Sequence, residues 1–180
     1  TIQKPDSNLR VLITQANIGN QEKEYSENGG RFRETIISKY IALTREAYVK
    51  DAVLNKPIDF TVWPETAIPL ELLSPEPREF EARPIVQMVQ ETGIPLIAGG
   101  YGEDSSTNKV TNSFFIFEKN GTIQWPFYFK TILLVFGEYM PLSDTFPVMK
   151  TWFPTGDFAR GPGPQVKLLN GVSIGPQICY

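Results

Sequence analysis

Apolar runs alternate with amphipathic segments through the first hundred residues of the chain. Short, β-branched apolar runs predict strands at Leu9–Ile18, Ile58–Trp63 and Ile94–Ala98, and the first of these suits a central strand. Between the runs, apolar residues recur at three- and four-residue steps from about Arg31 to Leu54, and a second helix is predicted from Phe80 to Glu91. The pattern therefore predicts two helices, each with one buried face, that connect three strands.

Proline and glycine mark the expected ends of these elements. Pro64 is expected to end the second strand, and Gly99-Gly100 to form a turn after the third. Pro84 is expected in the first turn of the second helix, where proline is tolerated. The interval Leu70–Arg78 is predicted to be a loop with partly exposed leucines: Leu70, Leu72 and Leu73.

The second half of the pattern begins with a hairpin and ends with a short apolar run. Strands are predicted at Asn112–Glu118 and Thr122–Phe129, because the Asn-Gly pair between them favours a tight hairpin turn. The run Val172–Ile178, interrupted by Gly175 and Pro176, predicts a buried strand that ends in a sharp turn. This order of elements indicates an α/β layered fold, with residues 1–180 in a single domain.

Composition narrows the classes of function. A hydrophobic content of 41% and a charged content of 21% are those of an ordinary globular protein. The formal net charge of −3 and the absence of a basic run give no reason to expect a nucleic-acid partner. With no histidine and one cysteine, we expect neither a metal site nor a cofactor. No uncharged run approaches the roughly 20 residues of a membrane-spanning helix.

Three segments contain polar side chains that are unusual in a hydrophobic core. Glu65 follows the second strand, Lys130 follows an aromatic strand, and Cys179 follows the last apolar run. A glutamate in a dry pocket can take the proton of a thiol in place of the absent histidine. A nearby ammonium favours the thiolate and then stabilises the oxyanion of a tetrahedral intermediate. A backbone N–H at the turn around Cys179 and Tyr180 would be a second donor to that oxyanion.

Each of these residues also has a purely structural explanation. A lone cysteine is more often buried and inert than reactive. Glu65 would equally well cap a helix or pair with an arginine, and Lys130 would equally well be a solvated strand end. The residue types alone leave these alternatives open.

The motifs around the three residues resemble the nitrilase, or carbon–nitrogen hydrolase, superfamily, and within it the branch of bacterial apolipoprotein N-acyltransferases. The resemblance covers nearly the whole chain. It rests on four segments: Val11–Ile18, Trp63-Pro64-Glu65-Thr66-Ala67, Tyr128–Pro141 with its Phe136-Gly137-Glu138-Tyr139, and Phe158-Ala159-Arg160-Gly161-Pro162.

The resemblance implies a role for each matching residue. Glu65 would be the general base, Lys130 the group that stabilises the oxyanion, and Cys179 the nucleophile that carries an acyl thioester. Glu138 would hold the lysine or assist proton transfer, unless it is an exposed loop acid. Three aromatic residues match positions beside the site and are predicted to contact substrate, although Tyr180 would equally well be plain packing: Trp63, Tyr139 and Tyr180. Three others are interpreted as fold positions: Gly99, Gly100 and Asn112.

The reaction implied by the resemblance moves a fatty acyl chain from a phospholipid, through a cysteine thioester, to the N-terminal amine of a diacylglyceryl lipoprotein. It would take place at the periplasmic face of the bacterial inner membrane, with the membrane surface as a partner. Several apolar side chains are candidates to line the entrance, although ordinary burial explains the same residues: Leu70, Leu72, Leu73, Phe80, Leu133–Phe136, Met140 and Phe146–Phe153.

The resemblance also implies an α-β-β-α sandwich that is incomplete after the cysteine strand, because the strands and helix that follow it in the branch lie outside these residues. An exposed strand edge and apolar face are then expected, which leaves homo-oligomerisation open. Two alternatives to the acyltransferase stay open as well. One is a soluble amidase of the same superfamily, and the other is a non-catalytic module that binds lipid or a partner chain.

Overall fold

A five-stranded sheet lies at the centre of the computed structural model, which describes residues 8–19, 30–53, 57–72, 79–124, 127–143, 145, 146, 148 and 156–179. The strands follow one another across the sheet in chain order: β1 (Val11–Ile13), β2 (Phe60–Leu72), β3 (Leu96–Asp104), β4 (Lys109–Phe117) and β5 (Tyr128–Phe129). β1, β2 and β3 run parallel, whereas β4 and β5 each pair antiparallel to the preceding strand. Among the described strands β1 lies at one end of the sheet, and it is shorter than the strand predicted from residue 9 to 18.

Two helices cover one face of this sheet, as the amphipathic pattern predicted. The helix α1 (Gly30–Val53) connects β1 to β2, and α2 (Glu79–Thr92) connects β2 to β3. Their buried faces and the adjoining strands form one apolar cluster that includes Ile36, Tyr40, Ile85, Met88, Val89, Trp63, Leu96, Phe115 and Phe117. Neither helix is long and apolar enough to cross a membrane, a finding that concerns the described residues only.

A two-stranded antiparallel sheet lies against the other face. It consists of β6 (Lys167–Leu169) and β7 (Val172–Ile174), so the last apolar run forms a shorter strand than predicted. Leu169 and Ile174 pack against Phe60, Ile97 and Ile116 of the larger sheet. The described residues therefore form an α-β-β arrangement of layers, in agreement with the predicted fold class.

β2 is longer than predicted, because Pro64 does not end it. The strand continues to Leu72, but its pairing with β3 shifts register between Trp63 and Ile68 and again between Ile68 and Glu71. A proline is tolerated at such an irregularity because no ladder hydrogen bond is required there. Leu72 is buried within this extension, contrary to the expected exposed loop, while the side chains of residues 70 and 73 lie outside the described part.

Gly99 and Gly100 lie inside β3 and form no turn, so that predicted boundary was also wrong. The second helix agrees with the predicted range from Phe80 to Glu91 to within one residue at each end. Pro84 lies inside this helix, however, and not in its first turn as expected. The predicted turn at Asn120-Gly121 does form, with a bridge between Phe117 and Ile123. Farther along, the described part of the returning strand is β5, while residues 125 and 126 lie outside the described residues.

Candidate active site

The irregular part of β2 carries Glu65. Thr66 adopts a positive φ of 55°, so the strand bends directly after the glutamate. The bend brings the backbone close to Gly99 of β3, where an added Cβ would lie 2.6 Å from the Pro64 carbonyl oxygen and 2.7 Å from the Glu65 Cα. Only glycine fits this approach, so Gly99 permits the distortion that presents Glu65.

Backbone hydrogen bonds on two sides hold Lys130. Its N–H donates to the Asn112 carbonyl oxygen at 2.7 Å, and its own carbonyl accepts from the Gly161 N–H at 2.9 Å. A Cβ at residue 161 would clash with the Phe129 carbonyl oxygen, so the close approach again requires glycine. The segment around Gly161 therefore fixes the backbone of the lysine.

A tight turn of residues 134–139 presents Glu138. The Glu138 N–H donates to the Leu134 carbonyl oxygen at 2.8 Å, and the Leu134 N–H donates to Glu138 Oε2 at 2.8 Å. Phe136 lies at the tip with a φ of 65°, a left-handed conformation that non-glycine residues rarely adopt. The turn is thus closed from both ends and aims the carboxylate inward.

The three charged groups meet around a single amide. Lys130 Nζ lies 2.9 Å from Glu138 Oε1 and 3.5 Å from Glu65 Oε1. Asn112 Nδ2 donates to Glu65 Oε1 at 2.7 Å and to Glu138 Oε1 at 2.9 Å. The lysine side chain is 5% exposed and that of Glu138 is 14% exposed, whereas that of Glu65 is 39% exposed. Glu138 is therefore no exposed loop acid, and Glu65 does not lie in a dry pocket.

The pKa values of Lys130 and Glu138 are both shifted in the direction that favours the charged form. Burial lowers the pKa of Lys130, but the hydrogen bond to Glu138 and the negative charges of Glu138, Glu65 and Cys179 outweigh burial and raise it above its usual value. Burial raises the pKa of Glu138, but hydrogen bonds from Asn112, Leu134 and Lys130, with the charge of Lys130, lower it overall. Both groups are ionised at neutral pH.

Cys179 completes the group and is exposed rather than buried. Its backbone has a φ of 51°, as at a sharp turn that presents a side chain. It lines a cavity of about 370 Å³ together with Glu65, Trp63 and Gly99. A thiolate at this position is close enough to act electrostatically on Lys130. The structure thus brings together the three residue types that the sequence singled out.

Glu65 also borders a second and larger cavity, of about 1050 Å³. Glu138 and Asn112 line it on the side of the site, and Arg33, Tyr101, Lys109 and Phe158 line it farther away. The carboxylate of Glu65 therefore lies between a cavity that contains the thiol and a cavity that contains the second glutamate. Among the described residues, no group of three potential metal ligands has a metal-binding arrangement.

The three predicted substrate-contacting aromatic residues have different surroundings. Trp63 is 2% exposed, stacks on Tyr40 at 5.1 Å between ring centroids, and donates from Nε1 to Thr44 Oγ1 at 3.0 Å. Tyr139 lies beneath the guanidinium of Arg160 at 5.5 Å. Tyr180 lies outside the described residues. A substrate contact for each remains a prediction.

Sequence reasoning missed the contacts of Asn112, which it treated as a fold position. The side chain is buried within β4 and bonds to both glutamates. One signal was available, because asparagine is depleted in strands and Asn112 lies inside β4. That signal indicates a special position without specifying its partners.

The carbon-nitrogen hydrolase family model matches residues 22–180. The chain belongs to the carbon–nitrogen hydrolase family. Its match extends across the glutamate, lysine and cysteine segments alike, so all three lie within the family's domain.

Bacterial relatives point to one branch of this family. The chain is 35% identical to an apolipoprotein N-acyltransferase of Bdellovibrio bacteriovorus over 98% of its own length and 34% of the relative. It is 37% identical to a protein of the same name from Pseudomonas syringae pv. tomato, over 96% of this chain and 31% of the relative. The chain thus spans about a third of the length of these relatives.

Solved structures support the fold. Nit3 of Saccharomyces cerevisiae, a nitrilase-superfamily protein, superposes with a TM-score of 0.59 at 15% identity, over 82% of this chain and 50% of the other. A carbon-nitrogen hydrolase of Helicobacter pylori superposes with a TM-score of 0.54 at 19% identity, over 82% of this chain and 47% of the other. At these identities the likeness concerns the fold alone, which is the predicted nitrilase-like one.

Proposed function

We propose that this domain transfers a fatty acyl chain from a phospholipid to the N-terminal amine of a diacylglyceryl lipoprotein, through a thioester on Cys179. The observation that carries the proposal is the meeting of one ammonium and two carboxylates beside an exposed cysteine, in a chain whose relatives are named apolipoprotein N-acyltransferases. The geometry supplies a nucleophile, a base and a cation without any histidine.

In the first half-reaction, the Glu65 carboxylate takes the proton of the Cys179 thiol. The thiolate sulfur attacks the carbonyl carbon of the phospholipid ester and forms a tetrahedral intermediate. The ammonium of Lys130 stabilises the resulting oxyanion. When the intermediate collapses, the carbon–oxygen bond breaks, Glu65 returns the proton to the leaving lysophospholipid oxygen, and the acyl chain remains as a thioester.

In the second half-reaction, the amine nitrogen of the lipoprotein attacks the thioester carbon. Glu65 takes a proton from the attacking amine, and Lys130 again stabilises the oxyanion. The carbon–sulfur bond then breaks, an amide forms, and Glu65 gives its proton to the departing thiolate. The enzyme returns to its starting state, so the reaction has ping-pong order.

Glu138 has a supporting role in this scheme. Its 2.9 Å contact with Lys130 Nζ and its lowered pKa keep a full negative charge beside the lysine. That charge keeps the lysine protonated and aimed, so that its remaining protons are available to an oxyanion. The geometry gives less support to the alternative role of Glu138 in proton transfer, because its carboxylate already accepts hydrogen bonds from three donors.

The surface next to the site suits a lipid substrate. Between residues 132 and 148, which we call the apolar loop, seven large apolar side chains are at least 41% exposed: Ile132, Leu134, Val135, Phe136, Leu142, Phe146 and Val148. Such a concentration of exposed apolar groups is typical of a lipid or protein contact. We place this loop at the membrane surface, on the periplasmic side of the bacterial inner membrane.

A competition between substrate classes tests the proposal. The full-length natural protein is incubated with a phospholipid or a short-chain amide, with and without a diacylglyceryl peptide whose N-terminal amine is free. We expect acyl-peptide to form from the phospholipid, with little hydrolysis of the amide. Rapid amide hydrolysis without transfer to the peptide would contradict the proposal and indicate an amidase. No reaction with either substrate would instead favour a binding module.

A further inference from the structure

Asn112 of β4 is hydrogen-bonded to three residues of the site: to the backbone of Lys130 and to the side chains of Glu65 and Glu138. The Asn112 carbonyl oxygen accepts the backbone N–H of Lys130 at 2.7 Å. Its side-chain nitrogen donates one proton to Glu65 and the other to Glu138, and both bonds reach the Oε1 atoms that face Lys130. Neither proton of the amide remains for another acceptor.

The other end of the same amide has no partner. Asn112 Oδ1 is buried and accepts no hydrogen bond within the described residues. Leaving a buried acceptor unpaired is unfavourable. The reverse orientation is worse, however, because it would place the carbonyl oxygen against two carboxylates. The charges of Glu65 and Glu138 therefore fix the orientation of the amide, and this orientation leaves Oδ1 without a hydrogen-bond donor among the described residues.

The backbone of Asn112 is held as firmly as its side chain. Residue 112 pairs with Tyr101 of β3, and its neighbour Ser113 pairs with Phe129 of β5. The residue is 3% exposed. A side chain on an interior strand is a more precise support than one on a loop. This matters because Glu65 lies in an irregular strand segment and Glu138 lies in a turn.

We infer that Asn112 is a positioning residue, which holds the Glu65 and Glu138 carboxylates side by side against Lys130 and ties them to the strand that also fixes the lysine backbone. This inference rests on the proposed function. Asn112 does not touch the reacting atoms in the scheme above. It acts through Glu65, whose Oε1 it holds at 2.7 Å.

Two substitutions separate positioning from plain structural support. Asn112→Ala removes both side-chain bonds and leaves Glu65 free to rotate, so the rate of Cys179 acylation should fall on the order of 100-fold, as displaced catalytic groups typically cause. Asn112→Asp keeps the shape but adds a third carboxylate. An added negative charge disfavours the ionised base and the thiolate, so the pH dependence of the reaction should move to higher pH.

Several charged groups around residue 112 influence the pH dependence expected for Asn112→Asp. Glu65 of β2, Lys130 after β5 and Glu138 of the turn contact it or each other, and the Cys179 charge acts on the lysine. Arg33 of α1 and the Lys109–Asp157 pair line the cavity farther away. The shift is therefore a property of the whole group rather than of one residue.

Ser113→Ala is the matched control. Ser113 lies next to Asn112 on β4, is buried, and exchanges a hydrogen bond of 2.8 Å with Thr111. Its loss removes a buried hydrogen bond from the same strand without touching either carboxylate. The control should lose stability but keep the acylation rate and the pH profile of the unmodified protein.

The experiment follows two readouts in the full-length natural protein and its three variants. One is the rate of acyl-adduct formation on Cys179 from phospholipid, and the other is the rate of alkylation of Cys179 by iodoacetamide between pH 5 and about 10. We expect Asn112→Ala to be slow in acylation and Asn112→Asp to shift both profiles to higher pH. Profiles and rates that match those of Ser113→Ala would overturn the inference. If the unmodified protein is alkylated but not acylated, the proposed function fails, and the alkylation profiles alone then decide the role of Asn112.

Discussion

At the residue scale, the site holds one more negative than positive group, since Glu65 and Glu138 share Lys130. Transfer of the thiol proton from Cys179 to Glu65 leaves that total unchanged, because the charge moves from oxygen to sulfur. Lys130 interacts with both atoms and therefore stabilises the charge before and after the transfer. If Cys179 is the nucleophile, as proposed, this arrangement would activate its thiol without a histidine.

The Glu138–Lys130 pair gives a prediction for stability against pH. The pKa of Glu138 is lowered in the folded protein, so its contribution to stability is present above the ordinary glutamate value of 4.5 and is lost as the pH falls through the folded-state pKa. The pKa of Lys130 is raised, so its contribution is present at neutral pH and is lost only at high pH. Acid, and not neutral pH, should therefore weaken the pair.

Glu138→Gln should lower the free energy of unfolding at pH 7 by about 3 kcal/mol, because it leaves a buried lysine without its nearest anion. The difference from the unmodified protein should shrink as the pH falls below 4.5, as measured by denaturant unfolding at a series of pH values. Glu46→Gln is the control, because Glu46 forms only an exposed pair with Lys50. A difference that stays constant down to pH 3 would show that the charge of Glu138 is not the cause.

At the element scale, periodicity predicted both helices and the succession of strands and helices along the chain, but it did not predict where strands end. Proline and glycine were interpreted as boundaries, whereas Pro64 and Gly99 lie within β2 and β3 and face each other. Local rules assign such residues to turns, and only the neighbouring strand shows that they form a bulge. The sequence pattern singled out Glu65, Lys130 and Cys179, and the resemblance suggested their roles. Their distances and the bridging amide of Asn112 required the three-dimensional structure.

This close approach of β2 and β3 can be tested directly. Gly99→Ala adds a Cβ that would meet the backbone of Pro64 and Glu65 at under 3 Å, so the bulge must move. We expect a loss of roughly 1–3 kcal/mol in unfolding free energy and at least about a tenfold loss of Cys179 acylation, because Glu65 moves with the bulge. Gly175→Ala is the control, since no atom lies within 4 Å of its added Cβ. Equal acylation rates in the two variants would refute this role of the bulge.

At the scale of the whole molecule, the two ends of the sheet have different surfaces. The apolar loop follows Lys130 and surrounds Glu138, at the end where the parallel strand β2 carries Glu65. The C-terminus of α1 lies at the opposite end, where Val49 and Val53 are 60% and 81% exposed. A lipid surface that met the loop would thus approach the site directly.

Replacing Leu134 and Phe136 with serine in the full-length natural protein should therefore weaken its binding to phospholipid. The domain that carries the site should remain folded. Removal of two apolar side chains from a lipid contact should raise the apparent KM for phospholipid at least about tenfold, while Cys179 alkylation by iodoacetamide stays unchanged. The control replaces Val49 and Val53, which are equally apolar and exposed but lie at the far end. If both double variants change the apparent KM equally, the loop has no special contact with lipid.

The central claim is that a carboxylate and an ammonium from distant parts of the chain make Cys179 an acyl carrier. Intact-protein and peptide mass spectrometry after incubation of the full-length natural protein with phospholipid tests it most directly. We expect one added acyl mass on Cys179 that is labile to hydroxylamine. It should be absent in Cys179→Ala and strongly reduced in Glu65→Gln, which keeps its fold but lacks the base. An adduct that forms equally in Glu65→Gln, or on a residue other than Cys179, would contradict it.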